Sequence, residues 1–371
     1  MHRVLLLGAG KIGRMIARFL VDSGDYHVTV ADVNAEALER MASRVNGIEV
    51  RTVDAGSSAQ LQQAMNGCHS VISALSYALN PIVAEAALAA GVSYFDLTED
   101  VETTRRVRAV AARAAEGQIF MPQCGLAPGF ISIVAQQLIG RFDKVDAVRM
   151  RVGALPLFPT GTLKYNLTWS TDGLINEYCN PCEAIHEGKL VELLPLEGYE
   201  QFLLDGVRYE AFNTSGGLGT LCETLDGRVR ELNYKTIRYV GHCTPMQLLI
   251  NELRLAECRS VLKDILERAV PATYQDVVVT FCTVIGWRHG RLVQITDGRK
   301  VYHQEVGGQH WSAIQLTTAA SICAVLDLFV SKRLPQRGFV RQEQVDFDTF
   351  IANRFGRIYD EPSSERLHEE Q

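Results

Sequence analysis

The sequence predicts an α/β protein: an N-terminal doubly wound domain on a parallel sheet, residues 1–129, then an α+β domain with a mainly antiparallel sheet, residues 130–311. Three observations carry this. Through the first third, short β-branched runs alternate with amphipathic helical patterns, the rhythm of βαβ units. After Gly129, apolar residues alternate with polar ones, and Gly, Pro and Asn separate the runs instead of regular helices. Finally, 371 residues, at roughly 100–200 per domain, imply two or three domains whose cores need no disulfide or metal staples.

In the first domain, strands are predicted at 3–7, 27–31, 48–52, 70–74, 93–97 and 119–122, with helices at 11–23, 34–45, 57–65, 81–90 and 101–116. Asn34 reads as an N-cap, and Pro81 sits in a first turn, where its missing N–H costs nothing. Gly24, Gly91 and Gly117 close helices. Six strands with intervening helices make one doubly wound sheet. In the second domain, a helix over 130–139 leads into strands at 147–153, 191–194, 235–239, 276–285 and 291–296. The helix at 312–328 is so apolar that it must be buried, against the first domain or the junction, so that 312–371 completes the first domain. Residues 363–371 read as a mobile tail.

Composition excludes several functions. With 37 Lys+Arg against 43 Asp+Glu, a net charge of −6, and no basic block, the chain has no electrostatic footprint for nucleic acid. No apolar run approaches the roughly 18 residues of a membrane helix; the stretch 131–138 is broken by Ser and Gln. The chain enters its first strand at Val4 without a signal peptide, and nine Cys form no framework spacing, so a reducing cytoplasm is expected. Cys179-Asn180-Pro181-Cys182 lacks the second ligand pair that zinc would need, and no metal is expected. Cys124, like these, reads as packing.

Gly8-Ala9-Gly10-Lys11-Ile12-Gly13 joins the first strand to the first helix. Gly8 permits the tight turn, Gly10 lets the backbone approach a pyrophosphate, Gly13 lets helix pack on strand, and the helix N-terminus faces the phosphates. Nineteen residues after Gly13, Asp32 ends the second strand, where a carboxylate accepts from the adenosine ribose hydroxyls. Strand, turn, helix and acid together identify a Rossmann dinucleotide-binding domain, against the plainer reading of a tight turn and a helix cap. A carboxylate at Asp32 repels a ribose 2′-phosphate, and Val33-Asn34-Ala35 holds no base, so NAD is favoured over NADP. Asp54-Ala55 is placed to flank the adenine, and Ser73-Ala74-Leu75 to run along the nicotinamide side.

Nearly the whole chain resembles the saccharopine dehydrogenase and lysine 6-dehydrogenase family. The resemblance rests on Asp32 with Val53-Asp54-Ala55-Gly56, on the stretches Gly91 to Leu97 and Gly125 to Gly129, and on Leu163-Lys164-Tyr165-Asn166 with Ser170-x-x-Gly173-Leu174. Glu210 to Gly217 and Tyr234 to His242 look closer to lysine 6-dehydrogenases. In the fungal glutamate-forming reductases, an Arg in the segment matching Trp169 to Gly173 holds a substrate carboxylate; here Asp172 takes that place, a departure that weighs against saccharopine. The resemblance implies a homodimer whose second domain supplies the substrate pocket and dimer contacts. It further implies hydride transfer from an amine-bearing carbon of a small amino acid, leaving an imine that hydrolyses.

Such chemistry needs a proton acceptor and an anchor for the α-carboxylate. His242, at a strand end, is the first choice for a base or water-activating group, against a structural histidine bonded to a carbonyl. Asp96 either holds or relays the substrate ammonium proton or caps the next helix, and Tyr77 lies over the nicotinamide site or simply packs. Arg238 and Lys235 are the carboxylate anchors or else solvated sheet surface. Tyr165, Ser170, Asp172 and Thr214 complete the expected substrate set. The expected activity is NAD-dependent oxidative deamination of a basic amino acid's side-chain amine, lysine first. The alternatives are a glutamate-forming saccharopine dehydrogenase and a non-catalytic NAD-binding sensor.

Overall fold

The structure, a computed structural model, describes residues 1–360; the tail expected at 363–371 lies outside them. The chain forms two compact units, one of Met1–Phe130 with Thr318–Arg357, the other of Ile131–Thr317 with the described residues from Ile358 onward.

In the first unit, β1 (His2–Leu7), α1 (Lys11–Asp22), β2 (Tyr26–Asp32), α2 (Ala35–Ala42), β3 (Glu49–Thr52), α3 (Ser58–Met65), β4 (Ser70–Ser73), α4 (Asn80–Ala90), β5 (Ser93–Asp96), α5 (Val101–Ala111) and β6 (Ile119–Met121) alternate. The strands pair in parallel in the order β6-β5-β4-β1-β2-β3, and a further strand, Gly338–Phe339, pairs with β6. That two-residue strand has no periodicity to betray it. Val4 to Leu7 are all buried, as a parallel sheet covered on both faces requires. Asn34, Ser57 and Asp100 cap their helices through side-chain oxygens. α5 ends well short of residue 116, because Arg113 and Ala114 donate three residues back and tighten the chain out of the α-helix. The C-terminal segment is tied to β2 by Asp327, which accepts from Tyr26 Oη at 2.5 Å and is itself held by Arg354 of the same segment at 2.7 Å. The strand order turns between β1 and β4, which opens a crevice at their C-terminal ends.

The second unit contains α6 (Phe130–Ile139, its first residue counted with the first unit), β7 (Lys144–Pro156), α7 (Thr171–Cys179), β8 (Cys182–His186), β9 (Lys189–Leu193), β10 (Glu200–Leu204), β11 (Val207–Asn213), β12 (Glu231–Tyr239), β13 (Asp276–Arg288) and β14 (Arg291–Tyr302). The sheet order is β10-β11-β12-β7-β13-β14, with the β8–β9 hairpin branching from β12. All pairs are antiparallel except β7 with β12. The sheet curls: Phe202 on β10 stacks on Phe281 of β13 at 5.4 Å, and Asp205 pairs with Lys300 of β14 at 2.9 Å. Leu155, Tyr209, Ile237, Val277 and Val279 fill the inside of the curl. The other face carries a second core, with Tyr165, Tyr178, Phe212 and Met246 under α7.

Helix Ala313–Val330 corrects one expectation: over 18 residues it is long and apolar enough to cross a membrane by length and composition. With 83% of it buried, it is a core helix.

Candidate functional site

In the first unit, each glycine of the turn meets a different constraint. Gly8 has φ +106°, and a Cβ there would lie 2.7 Å from the Ala74 carbonyl. A Cβ on Gly13 would lie 2.0 Å from the Gly8 carbonyl, whereas Gly10 has nothing within 4 Å. The two outer glycines therefore seat α1 on the sheet, and the middle one leaves its backbone open. Gly10 is also the N-cap of α1 and caps it with no side chain, so the first-turn N–H groups suit an anion. Lys11 is exposed and Ile12 half-buried beside them.

Asp32 closes one side of the turn: Oδ2 accepts from Ala9 N at 2.8 Å and Oδ1 from Asn34 N at 2.9 Å. Ser73 donates to Asn80 Oδ1 at 2.7 Å, Ala74 N donates to the Leu7 carbonyl, and Leu75 lies beside Gly8. These residues thus share the crevice. Asp54 accepts from Gly56 N in a turn after β3, next to buried Ala55. The donors, open backbone and strand-end acid fit a dinucleotide.

Asp96 is fully buried and ties three chain segments together. It accepts from Tyr94 Oη at 2.6 Å and from the Thr98 and Gln123 N–H groups at 2.9 Å each. Burial raises its pKa to about 6 against the pull of these hydrogen bonds. It is not the cap of α5; that is Asp100, which accepts from Thr103 N at 2.7 Å. Tyr77 opens a short 3₁₀ turn and is half-buried.

In the second unit, β12 carries the sharpest feature. Successive side chains on a strand face opposite ways. Thr236 and Arg238 therefore face the core under α7, while Lys235, Ile237 and Tyr239 face the curl. Arg238 is 2% exposed. Its Nε donates to Tyr178 Oη at 2.9 Å, its Nη1 donates to the Ile237 carbonyl at 2.9 Å, and the guanidinium lies 4.9 Å from the Tyr165 ring centre. Tyr178 Oη lies 3.1 Å from His242 Nε2, and His242 Nδ1 lies 2.8 Å from the Leu163 carbonyl. Among the described residues, no carboxylate comes within ion-pair distance of Arg238. Asn166 Oδ1 is buried without a hydrogen-bond partner, and the buried Tyr165 hydroxyl has Thr168 and Trp169 beside it. Thr214 joins Thr236, two positions before Arg238, through a 2.7 Å hydroxyl contact.

The structure thus gathers Tyr165, Thr214, Arg238 and His242 on one face, and leaves other candidates out. Lys235, an odd number of positions from Arg238, points into the curl and pairs with Glu200 at 2.6 Å. Ser170 is the N-cap of α7, accepting from Gly173 N, and Asp172 sits in that helix's first turn, paired with Lys263 at 2.6 Å on the exposed side. His242 is corrected as a base: burial first, then the nearby Arg238 charge, pushes its pKa down to about 3, so it is a neutral hydrogen-bonding group. Sequence reasoning missed Tyr178 and Glu210. The buried Glu210 carboxylate accepts from the Gly241, His242 and Cys243 N–H groups at 2.6–3.0 Å, and so holds the His242 turn. Glu177, also buried, acts electrostatically on Arg238.

Comparison with known proteins fits this geometry. A family model described as the saccharopine dehydrogenase NADP binding domain matches residues 4–121, and one described as the saccharopine dehydrogenase C-terminal domain matches residues 125–358. The mitochondrial alpha-aminoadipic semialdehyde synthase of Mus musculus is 22% identical over 197 residues, 52% of this chain and 21% of that protein. The saccharopine dehydrogenase (NADP(+), L-glutamate-forming) of Schizosaccharomyces pombe is 26% identical over 207 residues, 52% of this chain and 44% of that protein. The matches therefore span less than half the length of these relatives. Among solved structures, the apo saccharopine dehydrogenase (L-Glu forming) from Saccharomyces cerevisiae matches with a TM-score of 0.76 at 16% identity, over 96% of each chain, a likeness of fold.

Proposed function

Because the chain belongs to the saccharopine dehydrogenase family, with its Rossmann-type nucleotide-binding domain, we propose that it is an NAD-dependent dehydrogenase that oxidises the side-chain amine of a basic amino acid, lysine first. One observation carries the substrate class. Arg151, Arg299 and Lys300, cations of the second unit buried as Arg238 is, are paired with Glu200, Asp297 and Asp205. Arg238 has no such partner among the described residues. Burial works against its charge, yet Tyr178, Tyr165 and the buried Glu177 hold its pKa up; what it lacks is a direct ion pair, which a substrate carboxylate on its two-pronged edge supplies. A basic amino acid brings one carboxylate to one such guanidinium.

Gly8, Gly10 and Gly13 with the α1 N-terminus hold the pyrophosphate in this reading, and Asp32 the adenosine ribose. A bound nicotinamide would supply the hydride acceptor for the amine-bearing carbon. The Asp32 carboxylate and the absence of a base at 33–35 support NAD, although the matching family model is described as NADP-binding. His242, neutral and bonded at both ring nitrogens, orients its neighbours and takes no proton. A cytoplasmic homodimer completes the proposal, with fractionation and light scattering as its checks.

The relatives' names favour a second reading, saccharopine as substrate. Asp172 does not discriminate, since it sits exposed in an ion pair with Lys263. The test follows absorbance at 340 nm with NAD or NADP and lysine, ornithine or saccharopine at alkaline pH. Turnover of lysine with NAD supports the first reading and turnover of saccharopine the second. Tight dinucleotide binding with no turnover of any of the three sinks both and leaves another amine substrate or a non-catalytic sensor.

A further inference from the structure

We infer that Tyr178 is a positioning residue that, with His242, turns the Arg238 guanidinium so that its Nη edge is the one presented to the substrate carboxylate. The inference rests on Arg238 being the carboxylate anchor, and concerns what aims it. The chain of hydrogen bonds has one direction, set from both ends. Arginine only donates, so Tyr178 Oη must accept from Arg238 Nε. The single O–H of Tyr178 is then left for His242, whose Nε2 accepts it. The Leu163 carbonyl only accepts, so His242 Nδ1 carries the ring proton and donates to it. Both ends demand the same tautomer, and the ring is neutral as that tautomer requires.

Each member is itself held. Glu210 grips the backbone at 241–243, and Phe212 lies parallel to the His242 ring at an interplanar angle of 10°. Tyr178 sits on α7, whose Gly173 leaves no room for a Cβ: one would lie 2.4 Å from the Trp169 ring. On Arg238, Nε is engaged by Tyr178 and one Nη1 hydrogen by the Ile237 carbonyl. Nη2 bonds to no described residue. What remains is the forked Nη1–Nη2 edge, the geometry that meets a carboxylate with two parallel bonds. Without the Tyr178 hydroxyl, the guanidinium keeps its charge and its Tyr165 face but loses the contact that fixes its rotation.

The test uses the full-length protein with NAD and measures KM and kcat, or equilibrium binding, for L-lysine and saccharopine, which both carry an α-carboxylate. Tyr178→Phe is expected to raise KM at least about tenfold, the worth of one hydrogen bond to a charged group. Its kcat should change less than about threefold, with dinucleotide affinity and melting temperature near wild type. His242→Gln, which can still offer an oxygen acceptor, is expected to raise KM less than His242→Leu, a difference that a purely structural role would not give. This pair decides the matter should Tyr178→Phe fold poorly. Arg238→Lys separates the two levels. If it raises KM while Tyr178→Phe does not, the positioning inference is overturned and the anchor stands. If Arg238→Lys leaves KM unchanged, or the wild type binds neither compound, the anchor reading itself falls.

Discussion

Replacing Gly10 and Gly13 separately by alanine divides cofactor binding from folding. At Gly13 the added methyl would lie 2.0 Å from the Gly8 carbonyl oxygen, against the roughly 3.5–4.0 Å of an ordinary contact. Gly8 cannot yield, since its own Cβ position faces the Ala74 carbonyl at 2.7 Å. Relief requires α1 to lift off the sheet by more than about 1 Å, and overpacking of this kind costs about 1–3 kcal/mol or more. Gly13→Ala should therefore melt several degrees lower and bind NAD at least about tenfold more weakly. Gly10 is the opposite case: its φ of −75° suits alanine, and nothing lies within 4 Å. Gly10→Ala should match or exceed wild-type stability, by up to about 1 kcal/mol from the stiffer unfolded chain. It should nonetheless lose NAD affinity, because the methyl occupies the space through which the pyrophosphate reaches the backbone. Calorimetric titration of NAD beside thermal unfolding gives both quantities. Wild-type affinity in Gly10→Ala would refute the assignment of this turn as the phosphate cradle.

Two other perturbations test the first unit. Asp32→Asn keeps an acceptor for Ala9 N–H but removes the charge, so the ratio of kcat/KM for NAD over NADP should fall about tenfold; an unchanged ratio means that Asp32 does not face the ribose. Asp96 has a folded pKa of about 6 against an ordinary 3.8. Between those values the native state holds a proton that the unfolded chain has lost, so stability falls as pH rises, by about 3 kcal/mol in all. Asp96→Asn should remove that slope in urea titrations between pH 4 and 7, and parallel pH profiles for the two proteins would show that the carboxyl is not held in its neutral form.

What was legible in the sequence was what local geometry encodes. The glycine turn announces itself because strand, turn and helix are contiguous and each glycine answers a steric demand within a few residues. Asp32 follows at a spacing that one βαβ unit dictates. The opposite orientations of Lys235 and Arg238 were also legible, since three positions along a strand reverse the face. The capping role of Ser170, three residues before Gly173 at a helix start, was equally open to view. Tyr178 and Glu210 were not. Each becomes meaningful only through partners dozens of residues away: Tyr178 meets Arg238 across a sheet face, and Glu210 sits opposite Arg238 in the β11–β12 register while holding the turn at 241–243. Asp96 offered two readings, and the structure removes one of them, the helix cap, which is Asp100; its three donors come from its own strand and the two adjoining loops.

The central claim is that Arg238, buried at 2% exposure with no carboxylate of the described residues at ion-pair distance, recognises the α-carboxylate of the substrate. The most direct test compares kcat/KM for L-lysine with that for 1,5-diaminopentane, which differs only in lacking the carboxylate, in wild type and in Arg238→Leu. Wild type should prefer lysine by about two orders of magnitude, the worth of a paired charge-assisted contact, and Arg238→Leu should bring the ratio close to one. An equal preference in both proteins, or a wild type indifferent to the carboxylate, would contradict the account.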